Sequence, residues 1–391
     1  MGDVVVASAV RTAVGRIGGA LKNVFEVDMA VPVLTEAIKR AGIKPEEVEE
    51  VIMAHNYRTG EVPANSARLF ALRAGLPLEV PQFTITKHCG GSLRTISLAA
   101  QIIRAGDADI IMVGGIENMS RAAFLVPGIR WGIHLRHGQL IDQLVLRDLI
   151  CGLTMGETAE KVAEQFNITR EEQDQFALGS QQKAEAAIKQ GRFKEQIIPI
   201  PLKQGPEAPV FDTDEHPRLG TTLEALTRLK PVFKKDGTVT AGNSSGMNDA
   251  AAALVLMSAE KARAVGIKPL AKIKSYASVG VDPSIMGTGP VPATRLALKK
   301  AGLALKDIDL IELNEAFASM AVYYQRELNP VPDKLNVNGG AIALGHPISA
   351  TGAVITTKLL YEMKRRDVQF GLATMCIGGG QGIAVIFERD G

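Results

Sequence analysis

The stretch AIKRAGIKPEEVEEVIM (37–53) aligns without gaps on ALKKAGLALKDIDLIEL (297–313). Each copy reads as a helix stopped by a glycine, Gly42 or Gly302, then a turn and a strand. A second pairing follows. Cys89 precedes a helix and the strand DIIMVGG (109–115), and the segment after His346 gives a helix through VITTKLLYEMKRR (354–366) and the strand GLATMCIGGG (371–380). A chain that repeats helix, turn and strand in the same order predicts two related α/β halves, each with a largely buried central sheet. A gene duplication accounts for such a pattern.

The segment between the halves has a different character. It carries a long helix with a capping box, Thr169 to Glu172, that runs to Gly191, and then a passage punctuated by Pro199, Pro201, Pro209 and Pro217. It reads as an inserted lid, and its helices together with the single Trp131 argue for an ordered cover. The expected organisation is an N-terminal core from 1–116 plus about 249–270, an inserted loop domain from 117–248, and a C-terminal core from 271–391.

Bulk properties exclude several classes of function. Apolar residues are 46% and charged residues 22% of the 391, which suits a soluble α/β protein. Lys and Arg number 44 against 42 Asp and Glu, so nothing in the net charge of +2 favours nucleic acid or an anionic membrane as a partner. The start MGDVVVASAV lacks a basic segment and a signal-length apolar core, and reads as a first strand. No stretch approaches the roughly 20 apolar residues of a membrane helix. Three cysteines, Cys89, Cys151 and Cys376, stand far apart with no Cys-x-x-Cys pair, so neither zinc nor a disulfide framework is expected. Free thiols point to a reducing, cytoplasmic location.

Cys89 is the most informative of the three. In TKHCGGSLRT it sits at a Gly-Gly-Ser turn feeding a helix that buries Leu93, Ile96, Ala100 and Ile103 and ends at Gly106. The unpaired N–H groups at a helix start favour thiolate, so a lowered pKa is expected there. His88 beside it is expected to pack or support, since sequence neighbours at a strand-to-helix turn point apart. Cys376 precedes Gly378, Gly379 and Gly380, which free backbone N–H groups to bind an oxyanion. His346 lies between Gly345 and Pro347, where its ring projects into a cleft. The same run, GAIALGHP, has P-loop glycine spacing but lacks the required Lys, and CIGGGQGIA puts Ile383 on the last position of a dinucleotide fingerprint. Asn314 and Glu315 end a strand, where Asn also serves as a helix cap. A Cys-His-Asn hydrolase is weighed and set aside, because it has no use for Cys376 in a glycine nest.

These stretches, KHCGG, LNEAFA, GGAIALGHPISATG and MCIGGGQG, together with RTAVGR, GGIENMS, MGETAE, DEHPR and GTVTAGNSSGMNDAAAA, resemble the thiolase family in order and along essentially the whole chain. The resemblance implies a five-layered α/β/α/β/α fold of two similar core halves plus an inserted loop domain. It implies that Cys89 is the acyl-accepting nucleophile and His346 its base, and that Cys376 moves the α-proton. Asn314 would hold a water that completes one oxyanion hole with His346. The N–H groups of Cys89 and Gly378 would form the other. Coenzyme A would be held by Arg218, Lys230 and Ser245, and the acyl pocket walled by Met155, Phe233 and Phe317. No metal or redox cofactor is implied; acyl-CoA and CoA are substrates, and a homo-oligomer, dimer or tetramer, is expected. The implied reaction is acetoacetyl-CoA formation and cleavage. Alternatives are a degradative 3-ketoacyl-CoA thiolase for longer chains, a decarboxylating ketoacyl synthase, and a non-catalytic acyl-CoA-binding subunit.

The chain departs from the family pattern around the nucleophile and the histidine. Thr86, His88 and Gly91-Ser92 replace commoner residues near Cys89, and Ser349 and Thr351 add bulk in GHPISATG. Thr154 stands where short-chain members carry His, while Met155 and Phe233 are kept, so short acyl chains are expected.

Overall fold

The computed structural model describes residues 2–59, 61–132, 135, 137–203, 205 and 208–389. Its principal strands are β1 Val4–Thr12, β2 Glu50–Ala54, β3 Gln82–Ile85, β4 Ile110–Asn118, β5 Asn248–Ser258, β6 Ala271–Gly280, β7 Leu310–Leu313, β8 Phe370–Ile377 and β9 Gln381–Glu388. They hydrogen-bond in the order β7-β8-β9-β6-β1-β5-β4-β2-β3. β1, β5, β4, β2 and β3 form the N-terminal half of the sheet, and β6, β9, β8 and β7 repeat the first four in the C-terminal half. The halves join through one short antiparallel contact, Val5 with Lys272 and Val6 with Ala271.

The near-continuous apolar runs of these strands follow from cover on both faces. Along β5, Ala251, Ala253, Val255 and Met257 face one core, and Ala250, Ala252, Leu254 and Leu256 face another. Helix α1, Glu26–Arg40, lies in the first of these cores. Helix α2, Gly91–Ala105, and a later helix, Ile348–Arg366, fill the second, packed against strands of both halves. Helices Pro290–Ala301 and Ala318–Leu328 cover the far face of the C-terminal half. The layers are therefore α/β/α/β/α. Ile348–Arg366 is buried continuously from Ile348 to Met363, as a helix in the middle layer must be.

The duplication also locates the insertion. β8 and β9 are joined by Gly378-Gly379-Gly380, with φ of +87° and +78° at the last two. The corresponding strands β4 and β5 are joined by residues 119–247. This insert contributes helices α3, Met155–Gln165, and α4, Arg170–Lys189, both started by capping boxes, Thr154 with Glu157 and Thr169 with Glu172. It is tied down by a buried bidentate ion pair, Arg11 to Asp214 at 2.7 and 2.9 Å, which joins the RTAVGR and DEHPR motifs. Trp131 does not anchor it, contrary to the sequence expectation. Trp131 is 83% exposed, between the paired segments Phe124–Leu125 and Ile141–Asp142.

Candidate active site

The two middle-layer helices bring the duplicated halves into register at their N-terminal ends. A β-carbon on Gly352 would stand 2.3 Å from the Leu93 nitrogen, so the two helices touch backbone to backbone. The Ala353 N–H donates to Ser92 Oγ at 2.9 Å across the same contact. The turn His88–Gly90, which precedes α2, packs against the start of helix Ile348–Arg366, just after His346. This crossing gives the glycine of SATG its reason, while the glycines of CGGS are required by the sheet beneath, where β-carbons on Gly90 and Gly91 would stand 2.3 Å from Ile377 and 2.7 Å from Ala54.

Burial sets the protonation states. It pushes the Cys89 thiol up to about 11, aided by Glu117, while the N–H groups of Gly378 and of Cys89 itself pull the other way. The lowered pKa expected from the helix start is thus corrected: desolvation outweighs the helix terminus, and the resting group is a thiol. The two N–H groups nevertheless converge on the Cys89 sulfur. Cys376 at the end of β8 is fully buried, its Sγ 3.9 Å from Met320 Sδ. Burial and, after it, the Cys89 charge hold its thiol well above the usual range.

His346 is lowered to about 4 by burial, so its ring is neutral near pH 7. Nδ1 lies 2.6 Å from Thr351 Oγ1, and Nε2 lies 3.5 Å from Asn314 Nδ2. An amide N–H only donates, so Nε2 is the acceptor, and the proton on Nδ1 goes to Thr351. The His346 N–H donates to Asn248 Oδ1 at 2.9 Å, which fixes the backbone of the turn. Asn314 is not a helix cap, because the following helix starts at Ala318 after Phe317. Its N–H is spent on Thr374 O at 3.0 Å, and among the described residues its buried Oδ1 has no partner.

One apolar cluster gathers Cys376, Ala159, Val239, Met286, Ala316 and Met320, with Met155, Phe233 and Phe317 against it. Phe233 and Phe317 meet edge to face at 6.0 Å. Phe233 lies directly over Gly156, where a β-carbon would stand 2.2 Å from the ring. Thr154, at the family's histidine position, caps α3. Ser245 donates its N–H to Ala316 O at 3.0 Å, beside this cluster. Arg218 and Lys230 are exposed on the insert. His88 does not pack as expected. It is exposed, with φ of +42°.

Two supporting groups, Glu117 and Asp148, were not singled out from the sequence, and a third, Glu315, was read only as a strand end. Glu117 accepts from Tyr57 N at 2.9 Å and Ser349 N at 3.2 Å, and burial pushes it up to about 7. Asp148 accepts from the Gly379 N–H at 3.0 Å and holds the glycine turn. Glu315 accepts from Ser180 Oγ and Asn336 Nδ2, both at 2.6 Å, and so pins the Asn314 loop to the insert. A charged residue within an otherwise apolar strand, as in VGGIEN, is the signal that would have found Glu117.

Such an arrangement, a half-buried and a buried thiol, a neutral imidazole and nearby backbone donors, suits acyl transfer through sulfur. The chain is 54% identical to an acetyl-CoA acetyltransferase of Syntrophomonas wolfei subsp. wolfei, over 99% of each chain. Among solved structures, the Bacillus anthracis acetyl-CoA acetyltransferase superposes with a TM-score of 0.97 at 48% identity, covering 99% of both chains. Human mitochondrial 3-ketoacyl-CoA thiolase, in complex with CoA, does so at 0.96 and 43%, over 100% of this chain and 98% of its own. The family description "Thiolase, N-terminal domain" matches residues 4–260 and "Thiolase, C-terminal domain" matches 267–389. With both halves of its duplicated fold matched in this way, the chain belongs to the thiolase family.

Proposed function

We propose that this thiolase condenses two molecules of acetyl-CoA to acetoacetyl-CoA and CoA, and cleaves acetoacetyl-CoA in the reverse direction. The observation that carries the reading is the pairing of two free cysteines, the half-buried Cys89 from one half and the buried Cys376 from the other, with the N–H groups of Cys89 and Gly378 close to the first. Cys89 attacks the thioester carbonyl as His346 Nε2 takes its proton and keeps it, and CoA leaves with the proton of Cys376, which is left as the thiolate base. Cys376 then removes the α-proton of the second acetyl-CoA. The enolate oxygen is held by His346 and by a water on Asn314, a role supported by the unpartnered Asn314 Oδ1. The enolate attacks the acyl-enzyme, whose oxygen takes the N–H groups of Cys89 and Gly378, and collapse releases acetoacetyl-CoA and the Cys89 thiolate, which takes its proton back from His346. Electrons balance throughout, so the reaction calls for neither metal nor redox cofactor.

The order of steps follows from the proton inventory. Burial holds Cys376 as a thiol at rest. It becomes a base only when the departing CoA takes its proton, so the first cysteine is loaded before the second acts. The wall of Met155, Phe233 and Phe317 supports a short acyl group. Arg218, Lys230 and Ser245 are assigned to CoA, the first two through its phosphates, and their exposure on the insert is compatible with a charged ligand. The exposed apolar hairpin carrying Phe124, Ile129 and Trp131 supports a homo-oligomer, and the dependence on free thiols supports a cytoplasmic setting. Residues 1–116 with about 249–270, 117–248 and 271–391 are proposed as the three units.

The test is thiolysis of acetoacetyl-CoA and of 3-ketooctanoyl-CoA, followed by enolate absorbance. Turnover of acetoacetyl-CoA with the higher kcat/KM is expected. A clear preference for the longer substrate would move the protein to the degradative class, and turnover of neither would leave it a binding subunit.

A further inference from the structure

His88 is a departure beside the nucleophile that no step above uses. Its backbone adopts a left-handed conformation, φ +42°, that costs a non-glycine residue free energy and persists only where the surroundings impose it. The consequence is placement. A β-carbon built on Gly378 would stand 3.4 Å from Met155 Sδ and 4.0 Å from His88 Cγ. The imidazole therefore shares with Met155 the space in front of Gly378, whose N–H points to the Cys89 sulfur. Tyr57, on the other side, carries a phenol within electrostatic reach of both Cys89 and Glu117. The neighbourhood of the acyl group on Cys89 thus has hydrogen-bonding groups, whereas the cluster around Cys376 is apolar.

Charge narrows the ligand. The Asp148 carboxylate sits on the Gly379 N–H, one residue from the contact with His88, and Ile150 lies 3.8 Å from a β-carbon on Gly379. An anionic acyl end brought into this corner would meet a fixed carboxylate at close range. A neutral hydroxyl would not, and an imidazole both donates to and accepts from it. We propose that His88, placed beside Gly378 by its left-handed backbone, lets this enzyme take acyl groups ending in an uncharged hydroxyl, in addition to acetyl. It is a specificity residue. The proposal rests on the acyl-enzyme reading above.

The test compares kcat/KM for thiolysis of three 3-ketoacyl-CoAs of matched chain length, ending in methyl, hydroxymethyl or carboxylate, with acetoacetyl-CoA as the control. His88→Gly removes the ring and relieves the backbone, and His88→Asn keeps a hydrogen-bonding group that tolerates the same conformation. The natural chain is expected to favour the hydroxyl over the methyl end by about 5-fold, the worth of one neutral hydrogen bond. His88→Gly should abolish that ratio and His88→Asn retain part of it, with acetoacetyl-CoA turnover kept in both. An unchanged ratio in His88→Gly overturns the role of His88, and a preference for the carboxylate overturns the neutral class. Loss of acetoacetyl-CoA turnover by the natural chain would instead strike at the acyl-enzyme reading itself.

Discussion

Thr351 offers the sharpest probe of how the site holds its base. Its hydroxyl is 2.6 Å from His346 Nδ1, and the residue is 1% exposed, so no solvent replaces it when it is lost. Thr351→Val keeps the shape of the side chain and removes only the hydrogen-bonding capacity. The Nδ1 proton is then orphaned in a buried setting, at a cost of ~1–3 kcal/mol. The imidazole has one escape, which is to carry its proton on Nε2 instead. That tautomer sets two donors, Nε2–H and the Asn314 Nδ2–H, against each other, and it removes the lone pair that takes the Cys89 proton. Either outcome weakens the base. At about 1.4 kcal/mol per tenfold, kcat should fall by roughly 5- to 150-fold. The assay is acetoacetyl-CoA thiolysis together with the rate of Cys89 acetylation by acetyl-CoA, read by intact mass. Thr351→Ser, which restores the hydroxyl, should recover most of the rate. Full acetylation rate in Thr351→Val, or equal damage in Thr351→Ser, would refute the tautomer argument. A thermal midpoint measured alongside separates this from simple destabilisation.

Three further outcomes follow from the geometry. Cys89→Ala should form no acyl adduct with acetyl-CoA, whereas Cys376→Ser should still be acylated yet lose condensation, since a hydroxyl is too weak an acid to replace the thiol; intact mass and a condensation assay read both. Gly156→Ala places a β-carbon 2.2 Å from the Phe233 ring, so the ring must move, at ~1–3 kcal/mol of overpacking, and kcat/KM for acetoacetyl-CoA should drop; an unchanged value would remove Phe233 from the acyl wall. Asp214→Asn leaves the Arg11 charge buried without its partner and should cost about 3–5 kcal/mol in denaturant unfolding, while a loss under about 1 kcal/mol would show that the pair does not tie down the insert.

Much of this protein is legible from short-range patterns. The repeated helix, turn and strand at 37–53 and 297–313 announced two halves, and α2 buries the face read from Leu93, Ile96, Ala100 and Ile103 and ends at Gly106 as expected. The box at Thr169 and Glu172 started α4. Helix periods, caps and glycine conformations are local properties of a few neighbouring residues, so the chain states them directly. What it could not state is how those pieces desolvate one another. The thiol pKa of Cys89 goes up rather than down because burial by residues from distant parts of the chain, with Glu117 adding to it, outweighs the N–H groups of Gly378 and of Cys89 itself that pull it down. Burial likewise makes His346 a neutral base, and the contact with Thr351 orients it. His88 was expected to pack or support and is exposed beside Gly378, and Trp131, read as a sign of an ordered cover, itself lies exposed. Sequence by itself determined which groups this protein carries and which local conformations they adopt. Only the tertiary structure decided which of them meet and in what charge state, because burial is the sum of contacts from residues far apart along the chain.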